Sequence, residues 1–144
     1  TNEFNIPLNF TNTSFYTQIS IKNKLFNKEV DFSNATFFEK FELLSCKFKN
    51  SIYFIHANIY HNFSINKSSG IHARFEYCKF TQEDMPNSFY GFIDFSNIEF
   101  NTINAEYTFQ NACIIGSATF YNSKFGVALS NNFSASKMFS ITKA

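Results

Sequence analysis

His56, His61 and His72 could hold a metal ion only if folding brought them together, and Cys46, Cys78 or Cys113 could act as a nucleophile only beside a base. The three cysteines form no CxxC pair, no glycine-rich phosphate loop is present, and no Ser-His-Asp ordering stands out. The histidines are spaced by five and eleven residues. Those are also the steps of a pattern that runs through the chain, so what the histidines can do depends on what the pattern builds.

The pattern is seen in DFSNATF (31–37), which returns as DFSNIEF (94–100), NFTNTSF (9–15) and TFYNSKF (119–125). Apolar residues fall at Phe10, Phe15, Ile21, Phe26, Phe32, Phe37, Leu43, Phe48, Phe54 and Ile59, then at Ile65 and Gly70. These steps alternate between five and six, giving a period of 11. A steady step of five follows through Phe75, Phe80, Met85, Tyr90, Phe95 and Phe100. Of these 18 positions 11 are Phe, where 22 Phe in 144 residues would place about three by chance. A second lattice lies two residues earlier, from Leu8, Thr13 and Ile19 to Ala73 and Cys78, and apart from Lys24 it holds small or apolar residues. Alternation with a period of two puts both members of a pair on one face of a short strand.

An 11-residue repeat also suits a right-handed helical coil. Positions five apart on an α-helix, however, lie roughly 140° apart, which would split the two Phe of one motif between faces. Short strands that turn a corner every five or six residues place both inside. The expected fold is all-β: a solenoid of four-sided coils with equivalent sides stacked roughly 4.8 Å apart, about six coils in all. One side reads Phe10, Phe32, Phe54, Phe75, Phe95. The next reads Phe15, Phe37, Ile59, Phe80, Phe100 and Phe120. Burying each ring contributes roughly 2–3 kcal/mol before entropy is subtracted. The core ladder comprises Phe10, Phe15, Phe32, Phe37, Phe48, Phe54, Phe75, Phe80, Phe95 and Phe100.

The spacing and the words NATF, SCKF, YCKF and SATF resemble pentapeptide-repeat proteins, in the Phe-rich variety with an extra residue every second repeat. The resemblance covers roughly residues 8–138 and implies a right-handed quadrilateral β-helix. Leu is rare at the central position and Gly rare at the corners, which departs from the commonest form.

Residues 1–144 read as one domain. Residues 81–91, TQEDMPNSFYG, keep the spacing only by burying Glu83, so a loop is expected there, and NKSSG (66–70) reads as a bulge. The register is irregular over 101–108. TNEFNIP is expected to close the N-terminal end, while the C-terminal end still carries the repeat and suggests an end-to-end homodimer.

On this lattice the three histidines point outward on different sides, and Cys46 and Cys78 take inward small-residue positions. Cys113, beside Ala112, is the thiol expected nearer the surface. Asp31 and Asp94 open motif copies, where a side chain can cap backbone N–H groups. No catalytic, metal-binding or cofactor-binding residues are assigned. Two outward columns stand out: Tyr16, Phe38 and Tyr60, spaced 22 apart, and Asn12, Asn34, His56, Tyr77 and Asn97. The first, with Glu83 and Asp84, is the expected partner surface.

The net charge of +1, from 12 Lys/Arg and 11 Asp/Glu, argues against direct binding of nucleic acid. Acidity without basic residues is confined to the stretch between Lys79 and Lys124, with Glu83, Asp84, Asp94, Glu99 and Glu106. The Asn-x-Ser/Thr triplets at Asn9, Asn34 and Asn62 are expected by chance in so Asn- and Ser-rich a chain. No apolar run reaches membrane-spanning length, and the cysteine usage fits a reducing, cytoplasmic setting. A start at Thr1 rather than Met leaves room for a preceding segment. The reading is a non-enzymatic scaffold or protein-interaction module without cofactors. The alternative implied by the resemblance is a DNA mimic that binds DNA gyrase or topoisomerase, which would need an acidic surface along the rod.

Overall fold

The computed structural model describes residues 2–80, 92–101, 108–114 and 117–125. They form an all-β solenoid of about five turns, in which every strand pairs in parallel with its equivalent in the next turn. Each turn has four short sides. The first turn runs through β1 (Glu3–Phe4), β2 (Leu8–Asn9), β3 (Ser14–Phe15) and β4 (Ile19–Lys22).

The side that begins with β2 is called the first. It continues in β6 (Val30–Asp31) and the later halves of β9 (Lys47–Tyr53) and β12 (Ser69–Arg74). The second side stacks β3, β7 (Thr36–Phe37), β10 (Asn58–Ile59), β13 (Lys79–Phe80) and β16 (Cys113–Ile114). The third stacks β4, β8 (Phe41–Leu44), β11 (Phe63–Asn66), β14 (Phe92–Asp94) and β17 (Ser117–Thr119). The fourth holds β1, β5 (Leu25–Phe26), the earlier halves of β9 and β12, β15 (Glu99–Phe100) and β18 (Lys124–Phe125). Because β9 and β12 run straight through their corner, the first and fourth sides belong to one sheet.

Phenyl rings fill the interior in two geometries. Along the axis they stack: Phe10, Phe32, Phe54, Phe75 and Phe109 follow one another at 5.0, 5.1, 5.1 and 4.9 Å on the first side. Phe15–Phe37 on the second side, Phe41–Phe63 on the third and Phe26–Phe48 on the fourth stack in the same way, at 5.1, 4.9 and 4.8 Å. Across the axis they meet edge to face, as Phe54 does with Phe63 at 5.2 Å and 86°.

Two of the four corners share one backbone device. Asn12, Asn34, His56, Tyr77 and Asn111 turn the first side into the second with φ between 57° and 60°. Asn23, Ser45, Lys67, Asn97 and Asn122 do the same between the third and fourth sides, at 51° to 57°. Asn tolerates this left-handed region better than other non-glycine residues, which explains the recurring Phe-x-Asn word. At the first of these corners the chain closes a tight turn, with Ala35, Ala57, Cys78 and Ala112 each donating N–H to the carbonyl three residues back at 3.1 Å. Those four side chains point into the corner and are fully buried, so the position takes only small residues.

The structure corrects several register assignments. Phe80 lies on the second side and Phe95 on the third, one side on rather than the three that a steady five-residue step requires; Met85 and Tyr90 lie outside the described residues. Phe95 lies on the third side, stacked on Phe120 at 5.3 Å, and Phe100 lies on the fourth, above Gly70. Neither they nor Phe120 fall on the columns first assigned to them. The rung above Phe75 is Phe109, missed because it stands nine residues after Phe100 rather than five or six, although FQN at 109–111 repeats the corner word. Asn97 likewise belongs to the second left-handed column. NKSSG is an ordinary corner with Ser68 turned inward, and the irregularity falls between Gly70 and His72. TNEFNIP does not close the N-terminal end: β1 is a strand of the fourth side, and Phe4 and Ile6 are 36% and 65% exposed. The expected loop at 81–91 and the C-terminal end lie outside the described residues.

Gly70 interrupts the fourth ladder. A Cβ there would sit 2.8 Å from a Phe100 ring carbon and 2.9 Å from Phe48 Cβ, so Phe100 leans into the vacated space at 6.1 Å from Phe48 and tilted by 35°. Gly70→Ala is expected to destabilise by roughly 1–3 kcal/mol through overpacking. Phe37→Ala and Phe80→Ala should cost ~3–5 kcal/mol, and Tyr16→Ala under about 1 kcal/mol. Urea unfolding of the four variants checks the order; Tyr16→Ala as damaging as Phe37→Ala would overturn the inward assignment.

Candidate interaction surface

Tyr16, Phe38 and Tyr60 each follow the inward residue of a second-side strand. The register Phe15↔Phe37↔Ile59 therefore sets them one above another at the corner between second and third sides. Backbone bonds from Phe38 N–H to the Phe15 carbonyl and from Tyr60 N–H to the Phe37 carbonyl, both 3.0 Å, hold that register. The rings stack at 4.9 Å and 7° (Tyr16–Phe38) and at 5.5 Å and 10° (Phe38–Tyr60). Phe38 and Tyr60 are half-buried, and Tyr16 is 72% exposed. Cross-strand stacking contributes roughly 0.2–1 kcal/mol per pair, yet the outward edges of all three rings remain available to a partner.

The same corner takes three residues in the first three turns, as in Tyr16–Gln18 between β3 and β4. Between β13 and β14 it takes the 11 residues 81–91. Glu83 and Asp84, expected to share a partner surface with the strip, are among these and lie outside the described residues. The strip thus runs along the corner at which the chain departs from the five-residue step.

The groups considered for chemistry do not converge. His56 occupies a left-handed corner and stacks on Tyr77 at 4.6 Å. His61 accepts the Asn62 N–H at Nδ1, 2.8 Å away. His72 is half-buried on β12, and burial, with Arg74 nearby, pushes its pKa down. Among the described residues no three His, Cys, Asp or Glu lie close enough to hold a metal ion. Cys46 and Cys78 are buried and burial pushes both thiols up; Cys78 Sγ donates to the Phe54 carbonyl at 2.6 Å. Cys113 is half-buried on β16, level with Lys79. Asp31 caps its corner by accepting the Ser33 N–H at 2.8 Å, and Asp94 accepts the Ser96 hydroxyl.

The outward face of the third side carries a small charged cluster. Glu42 accepts the Ser20 hydroxyl at 2.9 Å, which with Lys40 and Lys22 holds its carboxyl below the usual range. On the fourth side an open depression of about 360 Å³ lies over Gly70, with Lys47, Lys49, Ile71 and Glu99 around it.

One buried charge was not read from the sequence. Glu76 is only 4% exposed, and its Oε2 accepts both Nε and Nη2 of Arg74 at 2.8 Å. Its Oε1 and the buried Thr108 hydroxyl have no partner. RFE at 74–76 signals the pairing, with opposite charges two apart on either side of an inward Phe where β12 ends, but not the burial. Compared with protein-family models, curated proteins and solved structures, the chain has no match.

Burial pushes the Glu76 carboxyl up against the pull of Arg74. A raised folded-state pKa means that stability from this group is fully present below the unfolded pKa and is lost as pH rises through the folded one. Glu76→Gln removes that loss, and Arg74, 41% exposed, can rehydrate. The variant is expected to melt above the parent at pH 7 and to converge with it toward pH 4. A lower midpoint at pH 7 would show that the ion pair outweighs the burial cost.

Proposed function

We propose that this chain is a right-handed quadrilateral solenoid of the pentapeptide-repeat type. In this reading it acts as a non-enzymatic scaffold that binds a protein partner along the corner carrying Tyr16, Phe38 and Tyr60. The observation that carries the reading is the strip itself. The rigid scaffold holds three aromatic rings in one outward line, with Tyr16 the exposed member, and aromatic side chains are the residues that most often anchor protein interfaces. Rings already stacked lose little conformational entropy on binding, which favours their use as a preformed contact.

The repeating four-sided turn and the left-handed Asn corners support the family resemblance. The separation of the histidines onto different sides and the burial of Cys46 and Cys78 support a role without catalysis. Outward strand positions of the fourth side mix charge along the rod, with Lys47, Ser69, Glu99 and Lys124 in one register column. That pattern favours an ordinary protein partner over mimicry of duplex DNA, which calls for sustained negative charge.

A photoactivatable phenylalanine analogue placed at Phe38, and separately at Ser64 on the third side, tests the assignment in extracts of the source cells. Discrete adducts from position 38 and none from 64 are expected. Tyr16→Ser combined with Tyr60→Ser should lower the adduct yield by roughly tenfold, with the melting midpoint little changed. Equal labelling from both positions, or no discrete adduct from 38, would overturn the assignment.

A further inference from the structure

The cations of the rod are not used alike. Among the described residues Lys22, Lys40 and Arg74 pair with carboxylates, and Lys24 donates to Asn2 Oδ1 at 3.2 Å. Lys47, Lys49, Lys67 and Lys124 do neither, and all four stand exposed on the fourth side or at the corner that leads into it.

Register gathers them. Lys47, Ser69, Glu99 and Lys124 form one outward column through successive turns. With neighbouring strands about 4.8 Å apart, Lys47 and Lys124 are separated by roughly 14 Å of backbone. Lys49 stands two residues after Lys47 on the same outward face of β9, and Lys67 takes the left-handed corner that leads into β12.

The surface between them is hollow. Ser69 is the short member of its column, and the pairing of β12 with β9 shifts register between Gly70 and His72. The depression of about 360 Å³ over Gly70 adjoins a second, of about 330 Å³, that reaches Lys67, Asn122 and Lys124. Ser69 and Glu99 line both, so the two make one shallow trough across the side. Lys47, Lys49 and Ile71, which is 48% exposed, lie toward one end; Lys67 and Lys124 lie toward the other, and Glu99 stands between.

That order of charges discriminates among anions. A phosphate chain or a nucleic acid carries negative charge at every step and would set some of it against Glu99, a like-charge contact that costs affinity. An extended peptide has no such constraint. At about 3.3 Å per residue, roughly four residues span the distance between the lysine pairs. Acidic side chains then fall at both ends, a residue between them offers Glu99 a donor or a cation, and an apolar neighbour packs on Ile71.

We infer that the fourth side is a docking surface for an extended segment of another protein, acidic at both ends and basic or hydrogen-bond-donating at its middle. Lys47 and Lys49 hold one end, Lys67 and Lys124 the other, and Glu99 selects the middle. The segment lies on the face of the sheet, so side chains rather than strand pairing give it affinity, and salt weakens it. The aromatic strip runs along the corner between the second and third sides, so the rod can hold two partners at once. This inference is independent of what binds the strip.

Fluorescence anisotropy tests it with a labelled peptide whose two pairs of glutamates, about four residues apart, flank a central lysine. The comparison probes are the same peptide with every glutamate replaced by glutamine, and a linear oligophosphate matched to the acidic peptide in net charge. At about 20 mM salt the acidic peptide should bind saturably and at least roughly tenfold tighter than either, and at about 150 mM more weakly. Lys49→Glu and Lys67→Glu should each weaken it roughly fivefold, whereas Lys79→Glu, an equal change of charge on the second side, should leave it within about twofold. Glu99→Lys should weaken the peptide and strengthen the oligophosphate. Melting curves check the fold of each variant, and Lys49→Gln and Lys67→Gln replace any glutamate variant that melts below the parent. No saturable binding of the peptide up to about 1 mM at low salt would overturn the inference. So would an equal loss from Lys79→Glu, which marks unspecific attraction, or an oligophosphate that binds as tightly as the peptide, which marks a general polyanion surface.

Discussion

The interaction on which the rest depends is the stacking of phenyl rings along the solenoid axis. Parallel strands repeat at about 4.8 Å, and aromatic rings in offset stacks sit at nearly that separation. The first-side rings, at 4.9 to 5.1 Å, therefore need neither to spread the strands nor to leave a gap between turns. A Leu in every position would fill the same column with a branched side chain that must interdigitate with its neighbours. A flat ring repeats without change from one turn to the next. The abundance of Phe thus follows from one geometric coincidence applied on four sides.

Once the rings set the turn, the corners have little choice. At two of the four corners only two positions separate the inward residues, and there one of them takes a left-handed conformation as the chain bends. Asn is tolerated there, and the residue after it must be small because the turn closes over it. Asn34 and Ala35 are the clearest pair, and Cys78 shows that a thiol fits the same space with its polarity satisfied by a carbonyl. With the scaffold so determined, the outward positions are released from folding duties, and it is there that Tyr16, Phe38 and Tyr60 can differ from their neighbours.

Much of this was legible in the spacing. The inward pairs from Phe10 to Phe80 follow from counting, because each turn repeats the last. The count lost its way at 81–91, because 11 residues stand between β13 and β14 where three separate the equivalent strands in the first three turns. No residue type marks where a chain rejoins a coil, so Phe95 and Phe100 were assigned to the wrong sides although both are inward. The Phe-x-Asn word misled in the same place, since opposite corners use the same backbone solution: DFSNATF turns from the first side and DFSNIEF from the third. The aromatic strip was visible because its spacing is that of the turn. The pairing of β1 with β5 was not, because whether a segment caps or extends a sheet depends on register with strands 22 residues away. The burial of Glu76 was hidden because it depends on tertiary surroundings.

Gly70 has a consequence for how the rod comes apart. In a stacked array, cohesion is the sum of couplings between adjacent turns, and the whole is only as cooperative as its weakest coupling. The fourth-side stack that links Phe26 to Phe48 at 4.8 Å is broken at Gly70, above which Phe100 is tilted by 35° and 6.1 Å from Phe48. The first three turns, with their uninterrupted ladders, form one cooperative block, and the later turns form a second that grips it through a thinned seam. At that level the turns are joined on the fourth side by the pairing of β9 with β12 rather than by stacked rings, so the backbone ladder carries there what the phenyl ladder carries elsewhere.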